Sequence, residues 1–509
     1  RLVRGAFGIA DPGSLGVLDD LLTEPGLAPG SLHPGSLRGV ARLALTIAPR
    51  VVRTLVAPAP ARARFDRVVE RTLAAATADL AIAGSTSPSS ADRVRDTVAA
   101  VRAALGRLMP ELLGRFAPVI MPAMLSLARV RRLAAGAPDA ERLTAELLRG
   151  LPGNVTMQMD LALWRAAQAI TADAEARSTF DALGAEALTD AWAEGRLPAA
   201  AQAALDAFLD SYGMRGVAEI DIGRLRWREN PADLVQTLRG YLAIDPDRAP
   251  DAVHRQAATS GERAVEQLAV AAGNRSRQLR FFAARARILM GARETPKFTI
   301  VRALDGVRLA VLRCGAALAD GGVLEQADDV VHLELQEIED AAAQLDCCDP
   351  ETVGTLRRLV AERRRAEQVE QRRRQLPRVL LGDGRTYYNR AASGGGADVQ
   401  GDGVSPGVAE GRARVVFDPR SSELQPGEIL VCPGTDPAWT PLFLTAAGLI
   451  TEVGGMMTHG SVVAREYGIP AVVGVDAATS RYPTGARIRI DGTRGTVVSL
   501  DVDQQPAEP

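Results

Sequence analysis

The sequence predicts a multidomain protein in which an all-α domain precedes a small α/β module, and three features carry that prediction. Residues 1 to about 378 repeat Ala, Leu and Arg at helical spacing. ASGGGADVQGDG (392–403) then has the composition of a flexible linker. After it, short β-rich runs alternate with two helical stretches. The chain is accordingly divided into a mostly helical domain (1–390), a linker (391–401), an α/β module (402–502) and a tail (503–509). A length of 509 residues also exceeds what one core serves.

Within the helical part, periodic runs are bounded by breakers. ADRVRDTVAAVRAALGRLM (91–109) and DAERLTAELLRGL (139–151) place apolar residues three and four apart, so each has one face for a core. Proline and glycine cluster between such runs, at APAPAR, GSTSPSS, GAPD, EGRLPAA and IDPDRAPD. Ser90 or Asp92 is available as an N-cap, and Gly150 can close the helix before it. Pro118 and Pro122 are expected to interrupt the helix in RFAPVIMPAMLSLARV (115–130), whose Phe116, Ile120, Met121 and Met124 either fill a core or line a pocket for a bulky apolar ligand. The last long helix, ETVGTLRRLVAERRRAEQVEQRRRQ (351–375), has an arginine-rich face that reads as solvated surface, because acids interleave.

In the module, GVAEGRARVVF, GEILVCP, GLITEV, PAVVGV, ARIRIDG and GTVVSL predict strands, while stretches near 438–447 and 459–467 predict helices. About a hundred residues of that pattern make one compact unit.

Composition excludes several function classes. Acidic residues number 62 and basic residues 60, with a pI near 6.2, which argues against a dedicated nucleic-acid binder. Cys314, Cys347, Cys348 and Cys432 show neither a disulfide framework nor a zinc spacing, as in a reduced cytoplasmic protein. VARLALTIAPRVVRTLVA is broken by Arg42, Arg50 and Arg53 before the roughly 20 apolar residues that span a bilayer, so no membrane partner is expected.

One of only four histidines, His459, stands in GGMMTHGSVVAREYG (454–468). Gly454 and Gly455 let backbone come close to a ligand, Thr458 precedes the histidine, and Gly460 leaves room on the other side. The helix that follows turns its free N–H groups and positive dipole end toward the same point, which suits a phosphoryl group. A neutral imidazole is also a competent nucleophile near pH 7. The residues alone leave a surface or capping histidine open too; metal ligation is less favoured, because no second His or Cys stands at ligand spacing.

Lys297 is the only lysine in a chain whose Lys and Arg total 60. Either it is a chance survivor on the surface or it marks a place where a compact ammonium is wanted. Arg215, Glu219 and Asp221 in YGMRGVAEIDI read as a structural ion-pair network. His332 reads as packing at the edge of a strand formed by the LEL run, and His33 and His254 as polar, loop-like positions without a function.

TDPAWTPLFLTAAGLITEVGGMMTHGSVVAREYGIPAVVGV (435–475) resembles the mobile phosphohistidine domain of phosphoenolpyruvate-utilising enzymes, a swivelling β/β/α module. Thr458 and Gly460 around the histidine, and a helical domain placed before the module, make the chain more similar to the rifampicin phosphotransferase family than to dikinases or synthases. GNVTMQMDLALW (153–164), YGMRGVAEIDIGRLRWRENP (212–231), RETPKF (293–298) and ADDVVHLELQEI (327–338) carry the likeness into the helical domain.

The resemblance implies that His459 takes a phosphoryl group and carries it between two active sites, while Arg293 and Lys297 hold it beside an acceptor hydroxyl. It implies a small-molecule acceptor of the rifamycin kind, hence antibiotic resistance. It further implies ATP and Mg²⁺, bound by an ATP-grasp donor domain, with AMP and inorganic phosphate as the other products. Residues 1–390 contain no glycine-rich phosphate loop with downstream carboxylates, so the donor domain is expected in cis, from a part removed before Arg1, or in trans. The alternatives are a phosphoenolpyruvate-synthase-like enzyme acting on another metabolite, and a phosphocarrier or ligand-sequestering protein without chemistry.

Overall fold

The protein is described here by a computed structural model covering residues 48–242, 244, 249–371, 379–380, 386–387, 398–419, 424–435, 439–455 and 458–501. His33, Met456, Met457 and the tail 503–509 lie outside these residues, as do 391–397 of the expected linker.

After a helical stretch at 48–56, α1 (Pro58–Ile82) turns back into α2 (Ser90–Ala134), so that Phe65 meets Phe116 and Ala83 meets Thr97. There follow α3 (Ala140–Leu147), α4 (Val155–Ala172), α5 (Ala199–Tyr212), α6 (Ala232–Leu242), α7 (Pro250–Ala271), α8 (Ser276–Met290), α9 (Thr295–Asp320) and α10 (Pro350–Gln371), with shorter helices between. Three apolar clusters hold them together. One gathers Phe65, Phe116, Leu127, Leu147 and Leu289; a second Ile170, Phe180, Leu205 and Tyr241; a third Leu80, Val98, Val311 and Ile338. Among the described residues, no helix is long and apolar enough to cross a membrane.

Several local expectations are corrected. Ser89, not Ser90 or Asp92, caps α2: its hydroxyl accepts from the Asp92 N–H at 3.0 Å. Pro118 and Pro122 do not end that helix, which runs on to Ala134. Each proline removes one N–H, but Phe116, Val119, Ala123 and Leu127 are buried along the same stretch and hold it in register. The helix after GAPD ends at Leu147, and Gly150 lies beyond its cap in the left-handed region at φ 57°. LEL is not a strand. His332 closes a 3₁₀ turn (Ala327–His332), and Glu334 opens the helix Leu335–Ala342 by a capping box with Glu337, a local bond set that outranks the alternation. His254 lies within α7 rather than in a loop. The arginine-rich α10 spends part of its charge on neighbours: Arg363 pairs with Glu337 at 2.6 Å and Arg364 with Asp329.

A two-stranded antiparallel pair, Val379–Leu380 with Thr386–Tyr387, precedes the module. The module is an eight-stranded mixed sheet of β1 (Asp398–Gln400), β2 (Asp402–Ser405), β3 (Val408–Val415), β4 (Ile429–Cys432), β5 (Gly448–Thr451), β6 (Ala471–Val473), β7 (Arg487–Asp491) and β8 (Thr496–Ser499). The order is β1-β8-β7-β3-β4-β5-β6-β2, with β3 to β6 parallel and the rest antiparallel. The end of the expected linker is therefore sheet: Asp398 to Gln400 pair with Val498 to Thr496. β4 and β5 are buried on both faces, as parallel strands are. Leu430, Cys432 and Leu449 face a core closed by α11 (Thr440–Thr445) and α12 (His459–Tyr467), while Ile429, Val431 and Ile450 face the opposite core with Ile488 and Val497. The second of these helices also packs on α7 of the helical domain.

Candidate functional site

His459 is the first residue of α12, reached from the C-terminal end of β5. Thr458 before it is extended (φ −76°, ψ 161°) and its side chain makes no capping bond; its hydroxyl donates instead to the Gly455 carbonyl at 2.9 Å, as does that of Ser461 at 2.8 Å. The loop is thereby tied back onto the helix while the first-turn N–H groups are left without a side-chain cap, a setting that favours an anion. The three glycines differ. A Cβ at Gly460 would stand 2.3 Å from Thr435 Oγ1, so glycine lets that turn abut the start of the helix; one at Gly454 would touch Thr451 and Val473 at 3.0 Å; one at Gly455 would meet open space. The imidazole itself is not among the described side chains.

The other end of the same helix is docked on the helical domain. Glu466 is buried and accepts a hydrogen bond from the Gly150 N–H at 2.6 Å, with Asn154 Nδ2 at 3.4 Å. Gly150 is required there: a Cβ would lie 2.2 Å from the Ala258 nitrogen in α7. Asn154 works twice, since its Oδ1 also caps α4 through the Thr156 N–H at 3.1 Å. Burial pushes the Glu466 carboxyl above the usual range, against the pull of the Gly150 N–H, His254 and Asn154. Beside it, burial lowers Arg465 to about 9, helped by the like charges of Arg293 and Arg131 and opposed by Glu466 and Glu294.

Arg293 lies in a 3₁₀ turn (Gly291–Glu294) that leads into α9, and pairs with Glu294 at 3.0 Å. A cavity of about 20 Å³, room for roughly one water, separates it from α12 and is lined by Asn154, Met290, Arg293, Glu294, Val462 and Arg465 among others. Lys297 follows in the first turn of α9, its Nζ 3.0 Å from Glu219 Oε1. Glu219 is held in turn by Arg215, at 2.6 and 3.0 Å. Asp221 stands apart from this cluster and accepts from the Gly223 N–H. Arg465 is six residues, roughly 9 Å of helix rise, from His459, so the sequence-predicted Arg293 and the histidine helix are brought together.

Phe116, Ile120, Met121 and Met124 are not. Phe116 packs edge-on against Phe65 at 5.2 Å, and Ile120 and Met124 pack on the same core. The neighbouring Pro118 and Val119 do line a cavity of about 430 Å³, with Phe65 and Val68, but Arg50, Arg53, Arg64 and Arg115 make its rim cationic. Sequence reasoning missed Gly150, Asn154, Arg465 and Glu466. A charged pair following Val462, Val463 and Ala464 on a short buried helix was the available signal.

Residues 115–294 match the family described as the rifampicin phosphotransferase fourth domain, and residues 424–495 match that described as the PEP-utilising enzyme, mobile domain. A rifampicin phosphotransferase of Streptomyces sviceus is 38% identical over 358 residues, 69% of this chain and 40% of that protein. One of Bacillus subtilis is 34% identical over 364 residues, again 69% of this chain and 40% of that protein. An uncharacterised protein of Mycobacterium tuberculosis is 34% identical over 301 residues, 58% of this chain and 31% of its own length. The chain thus spans well under half the length of these relatives. With a fourth-domain helical region leading into a mobile-domain sheet and its histidine helix, the chain belongs to the rifampicin phosphotransferase family.

Proposed function

We propose that this chain forms the acceptor side of a phosphotransferase, in which His459 carries a phosphoryl group to a hydroxyl of an apolar acceptor on the helical domain, a rifamycin in the first instance, with antibiotic resistance as the consequence. One observation carries the reading: the helix that begins with His459 rests, through buried Arg465, against the turn holding Arg293, and that turn opens the helix bearing Lys297. In transfer, the P–N bond to His459 breaks as the P–O bond to the acceptor forms, and the hydroxyl proton goes to the departing imidazole. Cations beside the phosphoryl oxygens offset the charge that moves. Glu294 fixes Arg293 and Glu219 fixes Lys297, so both are placed before the acceptor arrives.

ATP and Mg²⁺ belong to the loading step. Among the described residues, no three His, Cys, Asp or Glu side chains are gathered to hold a metal ion, and no step here runs through one. The partner that loads His459 is an ATP-grasp domain, in cis or in trans.

Mass spectrometry of the phosphorylated chain mixed with candidate acceptors tests the reading. Transfer of the mass of one phosphoryl group to a rifamycin supports it. Transfer only to a different metabolite moves the chain to the synthase-like reading, and binding without transfer reduces it to a sequestering protein.

A further inference from the structure

We propose that Glu219 is the positioning residue for the Lys297 ammonium, and that Arg215, Glu219 and Lys297 form one unit. What the ammonium is used for rests on the phosphotransfer reading; where it is held does not. The Glu219 carboxylate is 1% exposed and sits between two cations. Its Oε2 accepts from Arg215 Nε at 2.6 Å, and its Oε1 from Arg215 Nη2 at 3.0 Å, with Lys297 Nζ also 3.0 Å from Oε1. Two positive charges on one negative leave a net positive unit. Arg215 is sealed at 3% exposure, whereas Lys297 is 38% exposed, so the surplus charge is open to an anion only on the lysine side.

The rest of the loop holds this arrangement in place. Arg215 Cζ lies 5.5 Å from the ring centre of Phe298, the residue after Lys297, so it touches both Glu219 and the lysine's own turn. Ala218, just before Glu219, is held at φ 54°, a left-handed conformation that non-glycine residues seldom take. The lone lysine of the chain also finds a physical reason here. A guanidinium at 297 would present a planar fork competing with Arg215 for the same carboxylate, while a compact ammonium needs only Oε1 and keeps its other two N–H bonds for the ligand side.

Because Lys297 is the only lysine, acetic anhydride reports on a single side-chain amine. Its acetylation at pH 8, scaled to Nα-acetyl-lysine in the same tube and read by peptide mass spectrometry, is expected to rise at least fivefold in Glu219→Gln, since an amine no longer held against a buried carboxylate is free to swing out and meet the reagent. Equal rates would overturn the proposal. Substitution of a buried carboxylate threatens folding, so the unaltered chain supplies a second measurement: after reductive ¹³C-dimethylation, a held Lys297 gives two resolved methyl signals, and one averaged signal would overturn the proposal equally. If acetylation responds as expected while Glu219→Gln, loaded at His459, still transfers to the acceptor at the unaltered rate, the positioning stands and the phosphotransfer role of Lys297 fails.

Discussion

Glu466, on the helix that begins with His459, accepts a hydrogen bond from the main-chain N–H of Gly150, 316 residues away in sequence and 2.6 Å away in space. That bond joins the α/β module to the helical domain. Glu466→Ala leaves the Gly150 N–H buried without a partner, which costs about 1 to 3 kcal/mol. Amide exchange at Gly150 is therefore expected to quicken by roughly ten- to a hundredfold. Exchange unchanged from the unaltered chain would show that the contact does not hold the module.

The same carboxyl makes docking depend on pH. Burial raises Glu466 above the usual carboxyl range when docked, so the docked state binds its proton more tightly than the undocked one. Docking is strongest below the ordinary carboxyl pKa of about 4 and weakens as pH climbs through the raised value. Exchange at Gly150, corrected for its intrinsic pH dependence, should accelerate from pH 5 to pH 8, and Glu466→Gln should remove that trend.

Asp160 gives the helical domain a second pH-dependent contribution. It is buried in the core with Tyr241, whose hydroxyl donates to it, and desolvation pushes its carboxyl up to about 7. An unfolded aspartate titrates near 4. The folded state thus holds the proton more tightly, and stability falls as pH rises from about 4 to about 7. Asp160→Asn keeps an acceptor for Tyr241 and removes the charge. Urea unfolding at pH 8 should find the variant more stable by about 1 to 3 kcal/mol, with little difference at pH 4. Lower stability at pH 8 would contradict the account.

What was legible in the sequence divides along physical lines. The strands β3 to β8 and the helix His459–Tyr467 stand in the sequence as alternating or continuous apolar runs between glycines and prolines, signals that are local. The capping box of Glu334 and Glu337 is also local, but alternation in LEL masked it. Asp398–Gln400 could not be read as a strand, because a polar edge strand is defined by its partner, Thr496–Val498, nearly at the other end of the module. The continuity of α2 through Pro118 and Pro122 likewise depends on neighbours that bury Phe116 and Leu127. At the site, His459, Arg293 and Lys297 were visible as rare or motif-borne residues. Gly150, Asn154 and Glu466 were not, since their roles exist only once the two parts of the chain meet.

Lys297→Ala tests the acceptor-side cation. Its ammonium is exposed on one side and tethered on the other. Losing a charge contact made mainly in the transition state costs about 2 to 4 kcal/mol of barrier, so transfer from phosphorylated His459 should fall at least about a hundredfold. Acceptor binding should weaken much less, and loading of His459 should persist. Lys297→Arg, which keeps the charge but changes its shape, should retain partial activity. Full activity in the alanine variant would return Lys297 to an ordinary surface position.

The central claim is that His459 carries the phosphoryl group, and one measurement bears on it most directly. Supplied with an ATP-grasp donor domain, Mg²⁺ and β-labelled ATP, the unaltered chain should gain one acid-labile, base-stable phosphoryl group, as a phosphoramidate is, and lose it on addition of acceptor. His459→Ala should gain none and transfer none. Labelling and acceptor turnover that both survive in His459→Ala would contradict the account.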